Sequence, residues 1–336
     1  MSTELLTNPH RSSAIALPAL KLLDVTLRDG GYLNRWSFTL EAMETIVTAC
    51  ADSSVDLVEV GYLGEDASLP PAASCPPSVL ERLRKAAGGA GIAVMLRPTA
   101  PDPRKILASR SGLLDLVRIP TAIRALEPAL TMAEQVREAG CDCSLNLTNL
   151  TAYPEAEVLA AAEAAARSGL PTHLYLADSR GASNPTAVAS LMAQVRRFWD
   201  GPLGFHGHDN RDLGLDNALA AHAAGCTWLD GSINGFGQGG GNVVLQELVA
   251  ASRSASSPLR RSLDHAGRVL GLERLTDRRS LYRLSASRNV SQDWIDLLAA
   301  RYPVDHLLQA LDTIPSRGYQ SLDELFAELG WEPLTG

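Results

Sequence analysis

An α/β fold closed into a (β/α)8 TIM barrel, with a small helical domain behind it, is what the 336-residue chain predicts on three counts. Eight short apolar runs alternate with amphipathic helical stretches, the pattern of a parallel sheet covered by helices. Two polar strand ends, at Asp29 and His206, are separated by six such units of about 30 residues each, the spacing of a barrel of about 250 residues divided by eight. Finally Asp29, Glu59, Arg97 and Asp178 all fall at the C-terminal ends of their predicted strands, where barrel active sites are built.

The strand runs are 22–27, 55–60, 92–96, 116–119, 143–147, 173–177, 203–208 and 227–233. Helical periodicity marks 40–52, 78–87, 126–139, 155–168, 185–199, 213–224 and 243–253. Punctuation supports the boundaries: Gly140 precedes strand five, Gly169-Leu-Pro171 strand six, and Gly225 strand eight. Segment 64–77 carries Pro70, Pro71, Pro76 and Pro77 and is too long for a plain turn; it reads equally as a lid over the barrel mouth or a surface excursion. Beyond 253 the pattern changes to helices without strands, at 291–301, 304–313 and 321–329. The expected organisation is an arm over 1–20, a barrel over 21–254 and a helical domain over 255–336. An open doubly wound sheet is the structural rival, and eight strands in a row favour closure.

Composition narrows the function. Apolar residues make up 46% and charged residues 20%, ordinary for a globular chain with a sizeable core. Thirty Lys and Arg against 38 Asp and Glu give a net charge of −8, without a basic run interleaved with aromatics, so nucleic acid is not an expected partner. No apolar stretch approaches a membrane span, and the first twenty residues lack a signal-peptide pattern; a cytoplasmic protein is expected. Five cysteines without a framework read as reduced thiols, including the Cys141-Asp-Cys143 pair.

The chemistry concentrates in two distant stretches, Asp24-Val-Thr-Leu-Arg28-Asp29-Gly-Gly31 and Phe205-His206-Gly-His208-Asp-Asn210. Alternation along a strand points His206 and His208 to one side, where both can hold one divalent ion. Asp29 supplies a third, anionic ligand once barrel closure brings strand seven near strand one. Three protein ligands leave positions for water or substrate, which marks a catalytic metal site. Arg28 beside Asp29 at a strand end would cost desolvation unless it met a metal or substrate. A glycine-rich stretch, Asn234 to Asn242, leads into the eighth helix and offers backbone N–H groups to an anionic substrate. Asn242 can ligate the metal or cap that helix.

These motifs, in this order and with Asp178-Ser-Arg-Gly181 and Pro185, resemble the DRE-TIM metallolyases (HMGL-like), over roughly residues 22–253. That family includes 4-hydroxy-2-oxovalerate aldolase, hydroxymethylglutaryl-CoA lyase and the isopropylmalate and homocitrate synthases. The resemblance implies Mn2+ or Mg2+, with Zn2+ or Co2+ as substitutes, on Asp29, His206, His208 and Asn242. It implies that Arg28 stabilises an enolate oxygen, that Glu59 shares in the catalytic group, and that Arg97, Asp178, Ser179 and the backbone of Gly239 and Gly240 meet the substrate. Its substrates would be a small 2-oxo acid and an aldehyde or acyl-CoA, its assemblies a homodimer and a complex with an aldehyde dehydrogenase.

One position departs. The pyruvate aldolases carry a catalytic His two residues after the Arg-Asp-Gly glycine, and here that residue is Tyr32, whose phenol is a poor base at its ordinary pKa of about 10. Synthases have an acidic residue and Gln after the glycine, where this chain has Gly31 and Tyr32. The expected activity is a divalent-metal-dependent aldolase acting on a 4-hydroxy-2-oxo acid, in either direction. Rivals are an acyl-CoA-dependent Claisen synthase, an Fe(II) oxygenase using the same three ligands, and a degenerate barrel that binds a metabolite without turnover.

Overall fold

Eight parallel strands close on themselves in sequence order: β1 (Lys21–Asp24), β2 (Leu57–Tyr62), β3 (Gly91–Met95), β4 (Leu116–Ala122), β5 (Cys143–Thr148), β6 (His173–Asp178), β7 (Leu203–Gly207) and β8 (Trp228–Gly231). This is a (β/α)8 TIM barrel with C-terminal helices. The computed structural model describes residues 19–66, 68–110, 112–252 and 257–332; most of the expected N-terminal arm and the break at 253–256 lie outside the described residues. The seam between β1 and β8 is held by four register pairs, from Lys21↔Trp228 to Asp24↔Gly231.

Alternation sorts the strand residues into two layers. Leu22, Val58, Ile92, Val117, Leu174 and Leu229 face outward into the shell of helices, while their neighbours Leu23, Leu57, Ala93, Leu116, Tyr175 and Trp228 face inward and fill the barrel floor. Each fully buried aliphatic contributes about 2 kcal/mol through area removed from water. Two residues further along the strands the inward positions become polar or charged: Glu59, Arg118, Asn146, His206 and Asp230, all buried. The active layer thus rests on an apolar floor.

Local signals start the helices. Thr39 Oγ1 accepts from the backbone N–H of Ala42 ahead of Leu40–Asp52, and Asn184 Oδ1 from that of Ala187 ahead of Pro185–Val195, where Pro185 takes the first helical position. The helix Pro103–Ala108 was not expected from the sequence, because it spans only six residues behind a proline-rich turn; Asp102 caps it. Segment 64–77 contains one short helical turn, Pro71–Ser74.

After the eighth barrel helix, Ser257–Leu270 packs back on the barrel, and Leu263, Ala266 and Leu272 join the shell core. Leu281, Tyr282, Ile295, Leu298, Leu307, Leu311, Tyr319 and Phe326 form a separate apolar cluster. Arg180, from the loop after β6, donates to the carbonyls of Asn289 and Tyr319 and so clamps this cluster to the barrel mouth. Among the described residues no helix is long and apolar enough to cross a membrane, and the five cysteines are free.

Candidate active site

The first strand stops at Asp24, three residues short of the expected end. The Asp24 carboxylate accepts from the backbone N–H of Thr26 at 3.1 Å and from its hydroxyl at 2.5 Å, and Thr26 Oγ1 in turn accepts from the N–H of Ile233 at 2.9 Å. This folds the chain into a turn closed by Asp29 N–H to Val25 O at 2.8 Å. Asp29 is thereby carried inward over the mouth instead of continuing along the strand.

There it meets the two histidines. Asp29 Oδ2 lies 4.0 Å from Nε2 of both His206 and His208, and the two Nε2 atoms are 3.4 Å apart. All three side chains are buried. Asp29 Oδ1 is occupied by donors, Asn242 Nδ2 at 2.9 Å and the backbone N–H of Gln238 at 3.2 Å, which leaves Oδ2 toward the histidines. A side chain at Gly237 would put its Cβ 2.1 Å from Asn242 Nδ2, so only glycine lets the loop after β8 approach this closely. Asn242 itself pairs with His208 in an isolated antiparallel bridge, fixing the loop against β7.

Behind these groups runs a closed circuit of charge. Arg28 Nη1 donates to Asp29 Oδ2 at 2.7 Å and its Nε to Glu59 Oε2 at 2.7 Å. Arg118, without exposed surface, bridges Glu59 at 3.1 Å and Asp230 at 2.6 Å. Asp230 Oδ2 then meets His206 Nδ1 at 3.1 Å, which returns the circuit to Asp29. A carboxylate on the outer ring nitrogen fixes the tautomer that presents a lone pair at Nε2. The Tyr175 ring lies 4.4 Å under the Arg118 guanidinium.

Electrostatics prepare the groups for a cation. Burial alone would raise the Asp29 carboxyl, but Arg28 and the two imidazoles, with the Asn242 hydrogen bond, hold it well below the usual range. Burial pushes His208 down to about 4, more than the Asp29 charge can restore, so its ring is neutral at pH 7. Burial opposes the charge on Asp230 as well; Arg118 and His206 outweigh it and keep the carboxyl low.

These residues fit a divalent ion. Separations of 3.4, 4.0 and 4.0 Å place a common point roughly 2.2 Å from all three ligand atoms, the length of metal–nitrogen and metal–oxygen bonds. The donor set is two imidazoles and one carboxylate, and the buried Oδ1 of Asn242 has no partner among the described residues.

The cavity in front holds about 200 Å3 and is lined by Arg28, Asp29, Tyr32, His206 and His208 together with Tyr62, Asn146, Thr148, Asn149, Ser179, Gln238 and Gln292. Tyr32, 40% exposed, shares a 2.9 Å hydroxyl contact with the buried Tyr62. The other expected residues stand apart from this wall. Glu59 is in the middle of β2, not at its end, and reaches the cavity only through Arg28. Asp178 accepts from the N–H groups of Ala182 and Ser183 and shapes the following loop. Gly240 N–H donates to Asn210 at 2.6 Å, and a Cβ on Gly239 would meet Gln292. Arg97 stacks on the outer side of Tyr62, 3.7 Å from the ring centroid, and lines a neighbouring cavity.

Sequence reasoning passed over Arg118, Asp230, Tyr62 and Gln292. The first two were visible in principle, since a charge inside an apolar strand run (Leu116-Val-Arg118-Ile, Trp228-Leu-Asp230-Gly) has nowhere to go but the barrel interior. Gln292 could not be found that way: it comes from the C-terminal helices and reaches His208 at 3.3 Å through tertiary packing.

A mouth of this construction defines a metal-assisted enzyme on a (β/α)8 barrel. The chain belongs to the HMGL-like family, whose model matches residues 19–267, and it is a divalent-metal-dependent carbon–carbon lyase. It is 29% identical over 245 residues to a 4-hydroxy-2-oxovalerate aldolase from Pelotomaculum thermopropionicum, covering 72% of each chain. Over 250 residues it is 28% identical to an oxaloacetate decarboxylase from Mycobacterium tuberculosis, covering 74% of this chain and 72% of that one. Among solved structures, the N-terminal domain of a candidate aldolase from Bacteroides vulgatus superposes with a TM-score of 0.73 at 27% identity, covering 84% of this chain and 97% of that domain.

Proposed function

We propose that the protein cleaves a 4-hydroxy-2-oxo acid to pyruvate and an aldehyde, or condenses the two, with a divalent cation held by Asp29, His206 and His208. The observation that carries this reading is the convergence of those three ligand atoms with Arg28 on one small cavity. A cation there supplies Lewis-acid polarisation of the carboxylate and keto oxygens of a 2-oxo acid. Arg28 has Nε and Nη1 committed to Glu59 and Asp29, which leaves Nη2 to donate to the keto oxygen as charge develops on it. Glu59 acts through this contact, as a positioning residue for Arg28.

Retro-aldol cleavage removes the proton of the 4-hydroxyl, breaks C3–C4, moves the electron pair to the keto oxygen and later returns a proton to C3. Tyr32 is the hydroxyl placed to relay that proton, accepting it as its own passes to solvent on its exposed side, and its contact with Tyr62 holds it over the cavity. Ser179 and the amides of Asn146 and Asn149 line the same cavity and suit the aldehyde portion. The decarboxylase relative favours a second reading, loss of CO2 from oxaloacetate, which leaves the same pyruvate enolate for Arg28 to stabilise.

The test is pyruvate release from a panel of 4-hydroxy-2-oxo acids, and from oxaloacetate, by protein loaded with Mn2+. Tyr32→Phe should lower kcat on the hydroxy acids by about 10²- to 10⁴-fold and spare oxaloacetate, which has no hydroxyl proton to move. No pyruvate from any of them, or free thiol released from acetyl-CoA with a 2-oxo acid, would refute the proposal.

A further inference from the structure

The cavity in front of the metal ligands has one guanidinium in its wall, Arg28, and that group is committed to Glu59 and Asp29. Apart from the metal-ligand cluster, its remaining polar lining is neutral at Asn146, Thr148, Asn149, Ser179 and Ser291 and acidic at Asp293. A substrate with a second anionic group finds no free cation there. On the other side of Tyr62 the situation reverses.

A second cavity, of about 460 Å3, shares Tyr62 with the first and is walled by Arg35, Trp36, Ser37 and Arg97. Among the described residues neither Arg35 nor Arg97 has a carboxylate within 4.0 Å. The arginines on the neighbouring elements, Arg82, Arg84, Arg104 and Arg124, are all ion-paired. The Arg97 guanidinium carbon sits 3.7 Å from the Tyr62 ring centroid, which holds the group against the aromatic wall. Arg35 is held at the rim by unusual backbone: it and Trp36 both have left-handed φ, 56° and 57°, a costly conformation that non-glycine residues seldom adopt. The support is Trp36, whose indole N–H donates to the backbone carbonyl of Arg28 at 2.9 Å. The strained pair is therefore tied directly to the arginine of the metal cavity.

We propose that this second cavity is an oxyanion subsite that takes a phosphate or carboxylate group, most directly one carried on the far end of the aldehyde co-substrate. Two guanidinium forks and the Ser37 hydroxyl suit such a group, and the Trp36 and Tyr62 rings suit the carbon chain leading to it. The co-substrate form of the inference rests on the aldolase reading above; the anion site itself does not.

Two measurements test it. Isothermal titration with inorganic phosphate reads the site without turnover: it should bind wild type and bind Arg35→Gly at least tenfold more weakly. Glycine relaxes the left-handed backbone at that position, so lost binding in this variant cannot be ascribed to lost folding. In the condensation direction with pyruvate, glyceraldehyde 3-phosphate and succinic semialdehyde should exceed glyceraldehyde and acetaldehyde in kcat/KM by at least tenfold. That preference should shrink at least tenfold in Arg35→Gly, and phosphate should compete with the anionic aldehydes. Phosphate binding through Arg35 without such a preference identifies a free anion as the occupant and supports the subsite alone. Phosphate binding without any turnover keeps the subsite and overturns the aldolase reading. Turnover of neutral aldehydes with neither phosphate binding nor anionic preference overturns the subsite and leaves the aldolase reading standing.

Discussion

Arg118→Met is the most informative single change, because it removes a fully buried cation while nearly preserving side-chain volume. Arg118 holds Glu59 at 3.1 Å and Asp230 at 2.6 Å, and its loss leaves two carboxylates inside the barrel with half their compensation gone. Breaking a buried pair in this way costs about 3–5 kcal/mol, a large share of a total stability of about 5–15 kcal/mol. The same change frees Asp230 from its anchor and slackens the hold on His206 Nδ1, which should weaken Mn2+ binding about 10- to 100-fold. Urea denaturation followed by circular dichroism gives the first number and titration calorimetry the second. Arg82→Met is the control. Arg82 pairs bidentately with Glu44 on the surface, half exposed, and such a pair is worth about 0–1 kcal/mol. If the two variants lose equal stability and both bind Mn2+ as wild type does, the charge circuit does not organise the site.

Three further expectations follow from single residues. Asp29→Asn removes the anionic charge of one ligand and His208→Ala a whole ligand atom, so Mn2+ retention after gel filtration should disappear while the barrel's circular dichroism persists; retained metal in either variant refutes the ligand set. Burial, assisted by the charges of Glu59 and Asp230 and only partly offset by Thr26, pushes the Asp24 carboxyl up to about 7. The folded state keeps a proton that the unfolded chain releases near pH 4, so this group's contribution is present below pH 4, is lost as pH rises to 7 and is flat above. Wild type should accordingly lose about 3 kcal/mol more than Asp24→Asn between pH 5 and pH 8 in urea titrations, and parallel curves would show that Asp24 ionises normally. Gly31→Ala places a Cβ 2.1 Å from the Trp36 ring; overpacking of that kind should cost about 1–3 kcal/mol, and an unchanged Tm would mean the ring moves freely aside.

The barrel was legible because its signal is repetitive. Eight apolar runs at regular spacing survive errors of two or three residues at any one boundary, and those errors did occur: β1 ends at Asp24 and β2 starts at Leu57. The slip in β2 mattered for function, since it put Glu59 at a strand end when it lies in the middle of the interior circuit. The metal cluster was legible for a different reason. His206 and His208 are fixed relative to each other by strand alternation, and barrel topology alone brings Asp29 near them. Arg97 shows the limit of that logic: a residue just past a strand end points toward the mouth only if the loop allows it, and the packing of Tyr62 turned Arg97 into a separate cavity. Contributions from the C-terminal helices, such as Gln292 against His208, depend on docking through Arg180 and carry no periodic signature.

The positions of the ligands also decide how metal and fold are coupled. Asp29 follows β1, His206 lies in β7 and His208 directly follows it, while Asp230, which orients His206, sits on β8 between them. The cluster therefore spans the seam where the first and last strands meet, the contact of greatest sequence separation in the sheet and the one whose closure costs the most chain entropy. An ion bound there engages both sides of the seam and is released when it opens. Binding to the folded state alone stabilises by RT ln(1 + [L]/Kd), about 2.7 kcal/mol at one hundred times Kd. Mn2+ at that excess should raise the urea midpoint of wild type accordingly and leave His208→Ala unmoved. Equal stabilisation of both proteins would place the ion elsewhere than across the seam.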